Sequence, residues 1–142
     1  MNIKIKLLKS NSKLPKKAHS TDAGYDLTIT DIKKKSLFKV HYNLGIAVDF
    51  PSNMYAEVYP RSSIHKLFLW LSNSTGIIDN GYKGEWQAVF YKIPFLSKPY
   101  KIGDRCCQAV FKYMQDAGLN FDKVDEIKDS VRGVDGFGST GN

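Results

Sequence analysis

Short apolar stretches alternate with polar breaks along almost the whole chain of 142 residues. The opening Met1-Asn2-Ile3-Lys4-Ile5-Lys6 steps between apolar and polar with a period of two, as a half-buried strand does and a secretory leader does not. Residues 3–8, 25–30, 38–40, 45–50, 55–59, 86–91 and 107–113 are each rich in apolar, mostly β-branched and aromatic, side chains. The breaks carry turn formers, among them Pro51-Ser52-Asn53, Ser97-Lys98-Pro99 and Ile102-Gly103-Asp104. One short helix is predicted over 62–68, after Pro60-Arg61. Many short strands at this spacing predict an all-β fold: sandwich, barrel or jelly roll. There is no internal repeat, linker or low-complexity tract. The predicted organisation is one β domain over 1–131, followed by a flexible Gly-rich C-terminal tail over 132–142.

Composition narrows the class. Apolar residues make up 42% and charged residues 25%, too apolar for a disordered chain. No stretch approaches the ~18 apolar residues of a membrane-spanning helix, so no membrane partner is expected. Two adjacent cysteines, Cys106-Cys107, make neither a disulfide framework nor a zinc site, and a reduced, cytoplasmic setting is the expectation. The net charge of +7 favours polyanions: nucleic acid, an anionic membrane or a phosphorylated small molecule. On composition, solubility alone is the favoured account of it. The cations are 18 Lys and 3 Arg. The runs Lys16-Lys17 and Lys33-Lys34-Lys35 read as solvated turns away from aromatics, which weighs against nucleic acid. Each Arg sits in a tight polar context, suited to planar work on phosphate or carboxylate. Arg105, beside Asp104, reads equally as an ion pair.

Three constellations carry candidate chemistry. In Thr75 through Trp86, Asn80-Gly81 predicts a type I′ hairpin turn with Asp79 and Tyr82 opposite one another. That segment reads either as a capped surface turn or as a fixed carboxylate beside an aromatic platform, suited to activating water next to a stacked ring. Pro60-Arg61-Ser62-Ser63, where a strand gives way to a helix, reads either as an ordinary cap or as a phosphate cradle. The end of the chain, Gly136-Phe137-Gly138-Ser139-Thr140-Gly141, matches the letters of a dinucleotide fingerprint. It lacks the following helix that the fingerprint needs, since the chain stops at Asn142. What remains is a segment with Arg132, two hydroxyls and an aromatic, able to close over a phosphorylated ligand.

In order along the chain, these motifs resemble those of the trimeric dUTP pyrophosphatases (dUTPases). The five are Ala23-Gly24-Tyr25-Asp26-Leu27; Pro60-Arg61-Ser62-Ser63; Gly76-Ile77-Ile78-Asp79 through Tyr82-Lys83-Gly84-Glu85; Gly103-Asp104-Arg105-Cys106-Cys107-Gln108; and Arg132-Gly133 through Gly141. The resemblance implies a distorted jelly roll and a homotrimer whose active sites are shared between subunits. It implies hydrolysis of dUTP to dUMP and pyrophosphate with Mg²⁺. Asp79 matches the catalytic carboxylate that activates water, and Asp26 the carboxylate that holds the metal through water. Arg61, Ser62, Ser63, Gln108, Arg132, Ser139 and Thr140 match phosphate-binding positions. Asn73, Gly76, Ile77, Ile78, Tyr82, Gln87 and Phe137 match positions around the nucleoside, with Tyr82 beneath the sugar and Phe137 over the uracil. Ser63 stands where many members have Gly, and Gly81 where an acidic residue is commonest. Two other readings are a dCTP deaminase of the same fold and a non-enzymatic basic β protein that binds nucleic acid or a regulatory partner. With the dUTPase reading, no stable nucleic-acid partner is expected.

Overall fold

The computed structural model describes residues 2–115 and 119–128, so the expected lid at 132–142, with Arg132, Phe137, Ser139 and Thr140, lies outside the described residues. In chain order the strands are β1 (Lys4–Leu7), β2 (Tyr25–Thr28), β3 (Asp31–Lys35), β4 (Lys39–Asn43), β5 (Ile46–Asp49), β6 (Met54–Pro60), β7 (Leu69–Leu71), β8 (Gly76–Ile78), β9 (Gln87–Lys92) and β10 (Arg105–Tyr113). Antiparallel pairing builds one sheet in the order β2-β10-β6-β8 and another in the order β3-β4-β9-β7, while β1 pairs with β5.

The all-β expectation holds, and period-two patterning explains why. In β6, Met54, Ala56 and Val58 are buried while Tyr55, Glu57 and Tyr59 turn outward. In β4, Val40 and Tyr42 point in and Lys39 points out. These inward residues join Trp86, Phe90, Leu27, Ile29 and Leu44 in one core. The adjacent thiols of Cys106 and Cys107 are both buried and unpaired.

Three local expectations are corrected. First, Lys33-Lys34-Lys35 is not a turn but the end of β3, an edge strand with a bulge between Ile32 and Lys34. Lysines and a bulge on an open edge oppose further strand pairing, which is why so charged a segment is stable there. Second, the predicted helix over 62–68 is a 3-10 segment, Ser62–Lys66, closed by Phe68 at φ +52°. Third, Asn80-Gly81 is not a type I′ hairpin. Tyr82 N–H donates to Asp79 O at 3.0 Å, closing a turn, but neither central residue has positive φ. β8 pairs with β6 and β9 with β4 and β7, so the turn carries the chain from one sheet to the other.

Gly45 is where backbone conformation and space both demand glycine. Its φ is +68°, and a Cβ there would lie 2.3 Å from Ser12 Oγ and 2.4 Å from Thr30 Cγ2. Gly45→Ala is expected to destabilise the fold by about 2–4 kcal/mol, read as a lowered urea midpoint. An unchanged midpoint would contradict this close packing.

Candidate active site

Asp26 on β2, Gln108 on β10 and Tyr59 on β6 lie side by side in register. Arg61 follows the end of β6, and its Nε donates to Asp26 Oδ1 at 2.7 Å. Arg105, at the start of β10, donates to Asp26 Oδ2 at 2.7 Å. Arg105 is thus an ion-pair residue, but its partner is Asp26 and not Asp104. The Asp104 carboxylate instead accepts from Lys101 N–H at 2.8 Å. Gln108 Nε2 donates to Pro60 O at 3.1 Å. Gly24 makes room for that side chain, since a Cβ on it would approach Gln108 Oε1 to 2.4 Å. Ser62 and Ser63 open the 3-10 segment directly after Arg61. Five of the predicted residues, Asp26, Arg61, Ser62, Ser63 and Gln108, therefore gather at one end of the β2-β10-β6-β8 sheet. The 3-10 segment is too short to supply the field of a helix N-terminus. Any phosphate grip there falls to the Arg61 guanidinium, the two hydroxyls and the Gln108 amide.

A second group forms around β8. The Asn73 amide lies against Gly76, with Nδ2 at 3.2 Å from where a Gly76 Cβ would be. Ile77 is 56% exposed on an edge strand. Asp79 follows, exposed, at the start of the sheet-crossing turn. Asn80, read from sequence only as a turn former, anchors that turn by donating to Pro51 O and Met54 O at 2.8 Å each. The Tyr82 ring folds back over Gly84, where a Cβ would sit 2.6 Å from its hydroxyl, and that hydroxyl donates to Glu85 O at 3.0 Å. Gln87 is not brought to this group by side chain: it begins β9 in the other sheet, with Oε1 2.8 Å from His41 Nε2.

Between the two groups lies a network that the sequence reading missed. Glu57 Oε2 is 2.6 Å from Lys112 Nζ and accepts from Tyr59, and Oε1 accepts from Tyr55 at 2.9 Å. Lys112, then Tyr59 and Tyr55, hold the Glu57 carboxyl down from 4.5 to about 2. Tyr-x-Glu-x-Tyr places three polar groups on one strand face, which was visible; Lys112 as partner depends on the β6–β10 register. A hollow of about 760 Å³ next to the network is lined by Tyr55, Ile77, Asp79, Lys112 and Tyr113, among others.

The two groups share the outer face of one sheet but do not meet. From β2 to β8 is three strand spacings, about 14 Å, and from the level of Tyr59 to that of Tyr55 is about 13 Å, so Asp26 and Asp79 stand roughly 20 Å apart. A single phosphorus atom cannot lie within hydrogen-bond reach of both.

The dUTPase family model matches residues 10–141. The chain belongs to the dUTPase family. It is 37% identical over 141 residues to the deoxyuridine 5′-triphosphate nucleotidohydrolase of Clostridium tetani, covering 98% of this chain and 96% of that one. It is 36% identical over 149 residues to that of Thermobifida fusca, covering 99% of this chain and 79% of the relative. Among solved structures, the dUTPase of Staphylococcus bacteriophage 80alpha with dUPNHPP superposes with a TM-score of 0.83 at 25% identity, over 99% of each chain. All-β architecture and membership agree: the two sheets described above are those of a dUTPase fold.

Two outcomes follow for this face. Gly84→Ala displaces the Tyr82 ring, which is 44% exposed and free to swing outward. The expected result is a loss of about tenfold or more in kcat/KM for dUTP, weaker rejection of UTP, and little change in Tm; unaltered discrimination would show that the ring does not sense the sugar. For Glu57, a carboxyl whose pKa is lower folded than unfolded stabilises above its ordinary value of 4.5, and that contribution is lost as pH falls toward about 2. Urea titrations should show the gap between wild type and Glu57→Gln closing across that window. A gap independent of pH would remove the network's role.

Proposed function

We infer that this chain hydrolyses dUTP to dUMP and pyrophosphate in sites built between copies of itself. The observation that carries this reading is the separation of Asp79 from the Arg61–Asp26–Gln108 group on one sheet face. Asp79, whose carboxylate has no hydrogen-bond or ion-pair partner among the described residues, serves as the base that orients water and takes its proton. The water oxygen bonds to the α-phosphorus, the bond to the β-phosphate bridge breaks, and pyrophosphate leaves. Arg61, Ser62, Ser63 and Gln108 of a neighbouring copy hold the phosphates and balance the charge that builds on them. In a homotrimer, each interface would join one chain's Asp79 to the next chain's phosphate group.

Uracil recognition falls to β8. As an edge strand it pairs with β6 on one side only, leaving the backbone donors and acceptors around Ile77 and Ile78 on the other side for a base. Uracil presents acceptor, donor and acceptor in turn; cytosine reverses part of that pattern and does not pair. Asn73 and Gly76 frame the same strand, the Gln87 backbone completes the pocket wall, and the Tyr82 ring leaves no space for a 2′-hydroxyl.

The donor set fits Mg²⁺ held through water. Among the described residues no group of three or more His, Cys, Asp or Glu side chains could hold a metal directly. Asp26 keeps free lone pairs beyond its two Arg contacts and can accept from metal-bound waters while the phosphates supply direct oxygens. The bound ion would add charge neutralisation at the triphosphate. Arg132, Ser139 and Thr140 would contact the γ-phosphate and Phe137 the base. No helix among the described residues is long and apolar enough to cross a membrane.

Pyrophosphate release is expected from dUTP but not from UTP, dCTP or dTTP, and to be lost with a chelator. Asp79→Asn should lower kcat by about 10³-fold or more while retaining nucleotide binding. Co-refolding inactive Asp79→Asn with inactive Arg61→Ala should restore activity at about a quarter of the sites, because each site draws on two chains. No recovery on mixing would refute shared sites, and ammonia release from dCTP would replace the reaction.

A further inference from the structure

The outer face of the β3-β4-β9-β7 sheet, opposite the face that carries Asp26 and Asp79, has a charge pattern of its own. No Asp or Glu occurs between Asp31 and Asp49, between Glu57 and Asp79, or between Glu85 and Asp104. Those intervals supply all of β4, β7 and β9, all of β3 but its first residue, and eight lysines. The acidic first residue of β3, Asp31, is neutralised by Lys9 at 2.9 Å. A band of positive charge this free of acids is built for a polyanion.

Aromatic side chains are set into that band. Lys39, Tyr91 and Trp70 stand in one cross-strand row over β4, β9 and β7. Lys39 Nζ lies 4.8 Å from the Tyr91 ring centroid, and the Tyr91 and Trp70 rings are 5.8 Å apart with planes 33° from parallel. Lys34 lies opposite His41 on the neighbouring strands, and the Lys33 ammonium reaches the same face at Gln87. Trp70 is 48% exposed at the sheet's open edge, and Phe95 is fully exposed on a turn held at φ +64°. A left-handed backbone at a Phe is a strained conformation, here one that presents the ring to solvent. Lys33 and Lys34, read from sequence as turn residues away from aromatics, are therefore on the same sheet face as the aromatic pair.

We propose that this face binds single-stranded nucleic acid, with the phosphates along the Lys34–Lys39 side and bases stacking on the Trp70–Tyr91 platform. Unpaired bases are needed because the platform offers flat ring faces and no groove-filling element, and stacking of this kind tolerates any base. An acidic protein segment would satisfy the lysines but would leave the ring faces without flat partners. The proposal is independent of the hydrolytic reading, since none of these side chains belongs to the groups around Asp26 or Asp79.

Tryptophan fluorescence reads this site directly, because Trp86 is fully buried and Trp70 is the exposed one. Titration with an oligothymidylate of roughly twenty nucleotides at about 50 mM salt is expected to quench that emission, with affinity falling roughly 10- to 50-fold by about 200 mM. A saturating non-hydrolysable dUTP analogue should not displace the oligonucleotide. Trp70→Ala and the double variant Lys34→Glu/Lys39→Glu should each weaken binding about tenfold or more by anisotropy while still releasing pyrophosphate from dUTP, which verifies their fold. Absence of binding, unchanged affinity in both variants, or displacement by the analogue would overturn the proposal. So would equal affinity for duplex DNA or polyglutamate, which would make the face a reader of charge alone.

Discussion

The Asp26 carboxylate, gripped by Arg61 and Arg105, is the interaction on which the Arg61–Gln108 end of the β2-β10-β6-β8 sheet depends. Its side chain is 14% exposed, and its two guanidinium partners come from positions 61 and 105, the far end of β6 and the start of β10. One buried charge thereby ties three strands that are remote in sequence. Removing one guanidinium would leave a largely buried charge half-compensated, which costs more than an intact pair contributes. The same bond sets the direction of Arg61. With Nε committed to Asp26, its terminal nitrogens are left for the phosphate proposed to bind there, a division of labour that a lysine ammonium cannot reproduce.

Charge is sorted by sheet. The carboxylates of Asp26, Glu57 and Asp79 all belong to the β2-β10-β6-β8 sheet or its margin, and the first two are neutralised by Arg or Lys. Asp79 is left without a cation among the described residues, which suits the proton-accepting role proposed for it. Around these acids the chain carries a net +7, which draws a polyanion toward the molecule.

How much of this was legible in the sequence depended on whether a residue's role is local. Strands with clear period-two patterning, such as those containing Tyr55–Tyr59 and Gly45–Phe50, were readable to within a residue or two. β7 and β8, three residues each, are too short for any periodicity to register, and β3 hid behind its lysines. Asn-Gly is a sound turn signal, and a turn is there; whether the flanking strands pair with each other is decided by the other strands available to them. An ion pair was one of two readings of Arg105, with Asp104 beside it as the partner, but its partner lies 79 positions away, across a register that no local pattern specifies. The same holds for Lys112 and Glu57. The candidate site residues stood out as ordered motifs, and the resemblance implied sites shared between subunits, whereas which residues group with which appears only once the strand order is known.

That division bears on the proposed sharing of sites between copies. An interface that brought one copy's Asp79 to another's Arg61 group across the outer face between them would cover Glu57. Burying a lone carboxylate there would oppose assembly. Glu57 is already paired with Lys112 and accepts from two tyrosine hydroxyls, so its charge is met before any partner arrives. Covering it then removes little hydration that has not already been replaced, and the hydroxyls and apolar side chains beside it, Val110 and Ile77, present a surface that can be buried. The network that looks idle in a single chain would thus leave the face between the two groups compatible with the proposed interface.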